Sequence, residues 1–107
     1  MASRLGEKLH KLRKDSALTL DQLAEQSGLS KSYLWELENR ESQRPSAEKL
    51  TALANVFGVS PTYFIEDDVR APQERHRDEG FFREYQKLDP ESKEQIRKIL
   101  KTFKKKS

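Results

Sequence analysis

The chain has 107 residues, of which 36% are charged and 34% hydrophobic, with only four Gly and four Pro; this is room for one small core and excludes a two-domain enzyme, and the weighting toward helix formers predicts an all-α fold. A formal net charge of +3 suits a polyanionic partner without requiring one. With no Cys there is neither a disulfide framework nor a thiolate metal site, and two isolated histidines, His10 and His76, do not make a zinc site, so neither a cofactor nor a metal is expected.

From Arg4 to Lys14 the apolar Leu5, Leu9 and Leu12 recur at helical spacing among Arg4, Lys8, Lys11 and Lys14, which predicts an amphipathic helix ending near Asp15-Ser16-Ala17. The stretch from Met1 to Lys11 is charged and lacks the apolar run of a signal peptide. No later segment is apolar enough to cross a bilayer, so a cytoplasmic protein with no membrane partner is expected. Thr19, with Gln22 three residues on, has the pattern of a capping box opening a second helix through Ala24 to Ser27. Gly28 ends that helix, and Ser30 is placed to cap a third from Lys31 to Asn39. A polar loop, Arg40 to Arg44, leads through Pro45 to Ser46, the expected cap of a fourth helix carrying Leu50, Leu53, Ala54 and Phe57 and stopped by Gly58. Ser60-Pro61 opens a short fifth helix, expected to return Tyr63, Phe64 and Ile65 to the core.

After Ile65 the composition turns charged and contains Pro72, which divides the chain into a first domain over 1–68, a charged linker over 69–79 and a C-terminal element over 80–107. In that last element Phe81, Phe82, Tyr85 and Leu88 form one apolar stripe. Asp89-Pro90 then opens a helix bearing Ile96, Ile99, Leu100 and Phe103, so a helical hairpin with a basic Lys104-Lys105-Lys106 tail is predicted.

The segment Leu20 to Leu37 is the most informative. Ala24 lets two helices approach, Gly28 permits a short turn, and Leu23, Leu29, Leu34 and Leu37 bury an inner face, which is the spacing of two steeply crossing helices. Packed in this way, the second of them stands out from the domain and can enter a major groove, although the same pattern also occurs as a purely structural helical corner.

Through Leu23-Ala24-Glu25, Gly28-Leu29-Ser30, Leu37-Glu38-Asn39, Pro45-Ser46 and Gly58-Val59-Ser60, the stretch from Leu5 to Phe64 resembles the Xre group of Cro and phage-repressor type helix-turn-helix domains. Lys31-Ser32-Tyr33-Leu34, followed by a C-terminal helical hairpin, is similar to its biofilm-repressor branch. The resemblance implies a five-helix lambda-repressor-like domain followed by that hairpin, and a transcriptional repressor of double-stranded DNA. Ala17 stands where the family commonly has Gly, so the first turn is expected to be slightly strained or differently shaped.

By the same resemblance the third helix is the recognition helix, with Lys31, Ser32 and Glu36 toward base edges. Lys31 suits guanine O6 and N7, Glu36 suits a donor such as cytosine N4, and Ser32 is permissive; without the resemblance, Lys31 and Glu36 are an ordinary solvated pair. Trp35 is expected at the groove edge, on a sugar or a thymine methyl, or else packed on the following loop. Tyr33, not expected to face inward beside Leu34 and Leu37, is assigned to a phosphate or else to packing on that same loop; Thr19 and Gln22 at the start of the second helix and Asn39, Arg40, Gln43 and Arg44 after the third are assigned to phosphates. Arg13 and Glu38 are implied to form a partly buried salt bridge between the first and third helices.

The hairpin stripes, Phe81, Phe82, Tyr85, Leu88, Ile96, Ile99, Leu100 and Phe103, exceed what a hairpin of this length can hide, so a cover is expected: a second copy, the first domain or another protein such as an antagonist. A homodimer on a palindromic operator fits best, since palindromes need two reading heads. Two alternatives remain open, an antitoxin or restriction-modification controller that regulates its own operon, and a protein-bridging adaptor that reads no bases. An enzyme is not expected, for want of a Cys nucleophile, a phosphate-cradling glycine loop, a His/Glu metal spacing or a gathered acid/base pair.

Overall fold

The computed structural model describes residues 4–40 and 44–104, and among these every regular element is a helix: α1 (Arg4–Asp15), α2 (Leu20–Ser27), α3 (Lys31–Asn39), α4 (Ala47–Phe57), α5 (Thr62–Ile65), α6 (Glu74–Gln86) and α7 (Pro90–Phe103). The caps are local and polar. Thr19 Oγ1 accepts from Gln22 N at 3.1 Å while Gln22 Oε1 accepts from Thr19 N at 2.9 Å, so the start of α2 satisfies its own end groups. Ser30 Oγ accepts from Tyr33 N and Ser46 Oγ from Lys49 N, capping α3 and α4. Gly28 and Gly58, at φ 76° and 64°, end α2 and α4 in the left-handed region where a side chain is strained.

These starts and stops aim one face of each helix inward. Leu9, Leu12, Leu23, Leu34, Leu37, Leu50, Leu53, Ala54, Val59, Tyr63 and Phe64 form one buried cluster, each fully buried leucine contributing about 1.5–3 kcal/mol of transfer free energy. Ile65, expected in that core, is 64% exposed, because α5 is a single turn and Tyr63 with Phe64 already occupies its inner side. The Lys8 Nζ donates to the Tyr63 and Glu66 carbonyls and lies 4.6 Å from the Tyr63 ring centre, tying α1 to α5. Burial lowers the Lys8 pKa, and the nearby Asp67 and Glu66 charges only partly offset it.

The C-terminal part departs from the sequence reading. Residues 69–79, expected as a charged linker, contain the first turns of α6, which packs on α4. Its seat is made of His76 and Gly80 in place of aliphatic residues, so the apolar periodicity that marks a docked helix is missing from the sequence. The two helices of the expected hairpin meet at Tyr85, whose ring lies 5.6 Å from Lys93 Nζ and 5.8 Å from Arg97 Cζ, and α7 buries no residue at all. The molecule is accordingly long, 51 Å by 28 by 24 Å. Lys105 and Lys106 of the basic tail lie outside the described residues.

Ala17, in the turn between α1 and α2, has φ 56°, the one non-glycine residue at positive φ among those described. Its β-carbon is crowded against its own backbone there, whereas glycine has no such penalty. Ala17→Gly is expected to raise the unfolding free energy by about 0.5–1 kcal/mol after the larger chain entropy of glycine is subtracted, seen as a higher urea midpoint at unchanged slope; a lower midpoint would contradict the strain.

Candidate nucleic-acid interface

The orientation of α3 is set by α1. The two helices approach at Gly6, where an added β-carbon would lie 2.3 Å from the Leu37 carbonyl oxygen, so any side chain would push them apart. Arg13 then bridges three elements: Nε donates to Glu38 Oε2 at 2.7 Å, Nη2 to Glu38 Oε1 at 2.9 Å, and Nη1 to the Leu18 carbonyl at 2.9 Å in the turn before α2. His10 Nδ1 lies 2.8 Å from the same Glu38 carboxylate. Burial alone would raise the Glu38 carboxyl, but hydrogen bonds from Arg13 and His10 outweigh it and hold it below the ordinary carboxylate range.

With Leu34, Leu37 and Glu38 turned inward, the opposite arc of α3 is solvent-facing: Lys31, Ser32, Trp35, Glu36 and Asn39 all lie on it. The first four line one shallow depression, so the residues assigned to base reading are brought together on one surface. Lys31 Nζ is 3.2 Å from Asp21 Oδ2, and both side chains are well exposed, so this pair is worth at most about 1 kcal/mol and leaves the ammonium able to swing to another acceptor. Trp35 is 45% exposed, and the Arg40 guanidinium lies 5.5 Å from its ring centre. This stacking fixes the cation at the C-terminal edge of the face.

The flanking residues divide. Thr19 lies beside Lys14, Ala17, Leu18, Asp21 and Lys31 around an open concavity over the start of α2. Gln22, its amide oxygen held by the Thr19 N–H, is exposed on the same helix start. Arg44 is exposed just before α4, and Gln43 lies outside the described residues. Asn39 turns its amide nitrogen back onto the Trp35 carbonyl at 2.9 Å, a local bond at the helix end.

Tyr33 corrects the expectation that it stays out of the interior: it is half-buried against the core, with Lys49 Nζ 4.4 Å from its ring centre, and burial raises its hydroxyl pKa. The physical reason is that Tyr33 precedes Leu37 by one turn, at the margin of a buried arc wider than the two leucines alone define. Phe81, Phe82, Ile99, Leu100 and Phe103 are exposed on the C-terminal helices and Leu88 in the turn between them, while Tyr85 and Ile96 are partly covered.

Gly6, His10 and Lys14 were missed by the sequence reading. A glycine inside an amphipathic helical pattern signals close backbone approach, so Gly6 carried a legible cue; His10 and Lys14 carried none, since their roles come from the crossing of α1 with α3 and α2. Among the described residues no helix is long and apolar enough to cross a membrane, and no cluster of His, Asp or Glu has the arrangement of a metal site.

Comparison with known proteins adds to this geometry. The family described as "Helix-turn-helix domain" matches residues 4–63. YobD of Bacillus subtilis (strain 168), described as an uncharacterized HTH-type transcriptional regulator, is 38% identical over 103 residues, which are 89% of this chain and 91% of that protein. The immunity repressor protein of Bacillus phage phi105 is 32% identical over 71 residues, 66% of this chain and 49% of the repressor. Among solved structures, the master regulator for biofilm formation SinR in complex with DNA superposes with a TM-score of 0.55 at 31% identity, covering 58% of this chain and 98% of that one.

The bridge between Arg13 and Glu38 gives a prediction with a defined sign. Glu38 ionises more readily folded than unfolded, so its stabilisation is in full above the ordinary pKa of 4.5 and is lost as pH falls through the lower folded value. Glu38→Gln should therefore cost about 3 kcal/mol at pH 7, where it strands the Arg13 guanidinium, and this deficit relative to the parent should shrink in denaturant titrations repeated toward pH 3. A deficit of equal size at both pH values would show that the ionised bridge is not its source.

Proposed function

The chain belongs to the helix-turn-helix family of transcriptional regulators, and from that premise we propose that it is a repressor that binds an inverted-repeat operator as a homodimer, with α3 as the reading helix. It is a sequence-specific DNA-binding regulator. The observation that carries this reading is the shared outward surface of Lys31, Ser32, Trp35 and Glu36 on a helix locked from behind by Arg13 and Glu38.

On this reading Lys31 donates to guanine O6 and N7, Glu36 accepts from cytosine N4, Ser32 contacts either, and Trp35 lies against a sugar or a thymine methyl. Phosphates on one side of the groove are held at the start of α2 by Thr19, Gln22 and Lys14, where the first N–H groups of the helix favour an anion; on the other side they are held by Arg40 and Arg44 and, outside the described residues, Gln43. The Tyr33 hydroxyl, at the rim of α3, is assigned a phosphate as well, and Asn39 supports the Trp35 end of the face.

A second copy is the assigned occupant of the C-terminal stripes. On α7, Ile96, Ile99, Leu100 and Phe103 recur at i, i+3, i+4 and i+7, and none is buried within the chain. From its cap Asp89 the helix starts with Glu91, Lys93 and Glu94, net acidic, and runs through Arg97, Lys98 and Lys101 to its cap Lys104, so two copies paired antiparallel would set the more acidic start against the basic end. An antagonist protein that covered these faces would separate the protomers. The proposal is of a regulator that acts by binding DNA, without enzymatic activity.

Selection of bound duplexes from a random pool is expected to enrich a palindrome with a G·C pair in each half-site. Glu36→Ala should relax preference at one position, whereas Arg44→Ala should weaken binding to all duplexes and lower the slope of affinity against salt by about one. No enrichment, or equal effects of the two substitutions on selected and random DNA, would refute the assignment.

A further inference from the structure

The first turns of α6 are clasped to the helix-turn-helix domain by interactions that the function described above does not use. His76 is fully buried. Its Nδ1 accepts from the Gln73 backbone N–H at 2.9 Å, which leaves Nε2 as the protonated nitrogen, donating to Glu66 Oε1 at 2.6 Å. The ring packs edge-on against Tyr63 with centres 5.3 Å apart, and the His76 carbonyl accepts from Ser60 N at 2.9 Å. Arg75 closes the clasp from outside, donating to both Glu66 oxygens at 3.1 and 2.6 Å. Arg75 first, and His76 after it, hold the Glu66 carboxyl down at about 2.

One turn further on, Gly80 is pressed onto the turn after α4. An added β-carbon would meet the Gly58 carbonyl oxygen at 2.4 Å, the Gly58 carbonyl carbon at 2.5 Å and Val59 N at 2.6 Å, all backbone atoms that cannot give way. His76, Gly80 and Glu84 follow one another at i, i+4 and i+8 on this face, and Phe81 and Tyr85 lie on another. The helix that leads to the exposed apolar stripes is therefore part of the DNA-binding body.

We infer that α6 is a rigid strut, held by His76 and Gly80, that fixes the distance and rotation between the two reading helices of a dimer and so makes half-site spacing a determinant of operator choice. The inference rests on the homodimeric reading above. A flexible linker would let two heads adapt to many separations with modest loss, whereas a docked helix transmits the dimer geometry to both α3 helices. Each added base pair moves a half-site by about 3.4 Å and rotates it by about 35°, more than a clasped helix can follow.

The test uses the full chain and duplexes carrying two half-sites from the enriched palindrome, with spacings altered one base pair at a time, and a single half-site for reference. The parent protein should show one preferred spacing and lose affinity about tenfold or more within two base pairs of it. Gly80→Ala, which forces α6 off the Gly58 turn, should flatten that profile while keeping its affinity for the single half-site. Inserting two glycines between Ala71 and Pro72 lengthens the loop before α6 without touching the clasp, so the parental profile should persist in that variant even if Gly80→Ala proves too unstable to assay. Equal affinity of the parent across spacings overturns the inference, as does a folded Gly80→Ala protein with the parental profile, or a loop insertion that shifts or broadens it. Paired sites bound no more tightly than one half-site would remove the homodimeric premise itself, which is a different result from tight binding at every spacing.

Discussion

The rotation of α3 about its own axis depends on one buried cation. The Arg13 guanidinium reaches Glu38 on α3 with two N–H groups and the Leu18 carbonyl before α2 with a third, so one side chain registers three elements against each other. A buried ion pair adds little stability over a well-packed apolar alternative, because desolvating both charges offsets most of their attraction. What it contributes is direction. Two parallel hydrogen bonds to a planar carboxylate hold only in a narrow range of orientations, and with Gly6 drawing the backbones together, the arc bearing Lys31, Ser32, Trp35 and Glu36 has one direction to face.

The same division between buried registration and exposed chemistry recurs at the other end of the chain. α6 is seated by a histidine, a glycine and a carboxylate shared with an arginine, and its Phe81 and Phe82 are left outside. A polar seat demands a single geometry, where an aliphatic one tolerates sliding. In both places the molecule uses hydrogen-bond direction to set angles and leaves exposed side chains to meet a partner.

Much of the first five helices was legible because their boundaries are written in local chemistry: Thr19 with Gln22, Ser30, Ser46, Gly28 and Gly58 each act within a turn of their own position. The strain at Ala17 was legible for the same reason. The start of α6 was not, since His76 and Gly80 gain their meaning only from Glu66, Tyr63 and Gly58, which are distant in sequence and lend the helix no apolar period. Within the candidate site, the outward residues of α3 followed from helical periodicity. The half-burial of Tyr33 and the seating of Arg40 over Trp35 depend on the width of a packed interface and on a loop, neither of which periodicity encodes.

The single tryptophan of the chain, Trp35, sits on the surface assigned to DNA and reports on it directly. Titrating an unlabelled duplex from the enriched pool into the 107-residue chain while following tryptophan emission, alongside anisotropy of the same duplex carrying a dye, separates binding from the place where it occurs. A saturable emission change that tracks the anisotropy and moves to higher duplex concentration with added salt is the expected result. Saturating anisotropy with unchanged emission would mean that DNA meets another face of the protein, and would contradict the role given to α3.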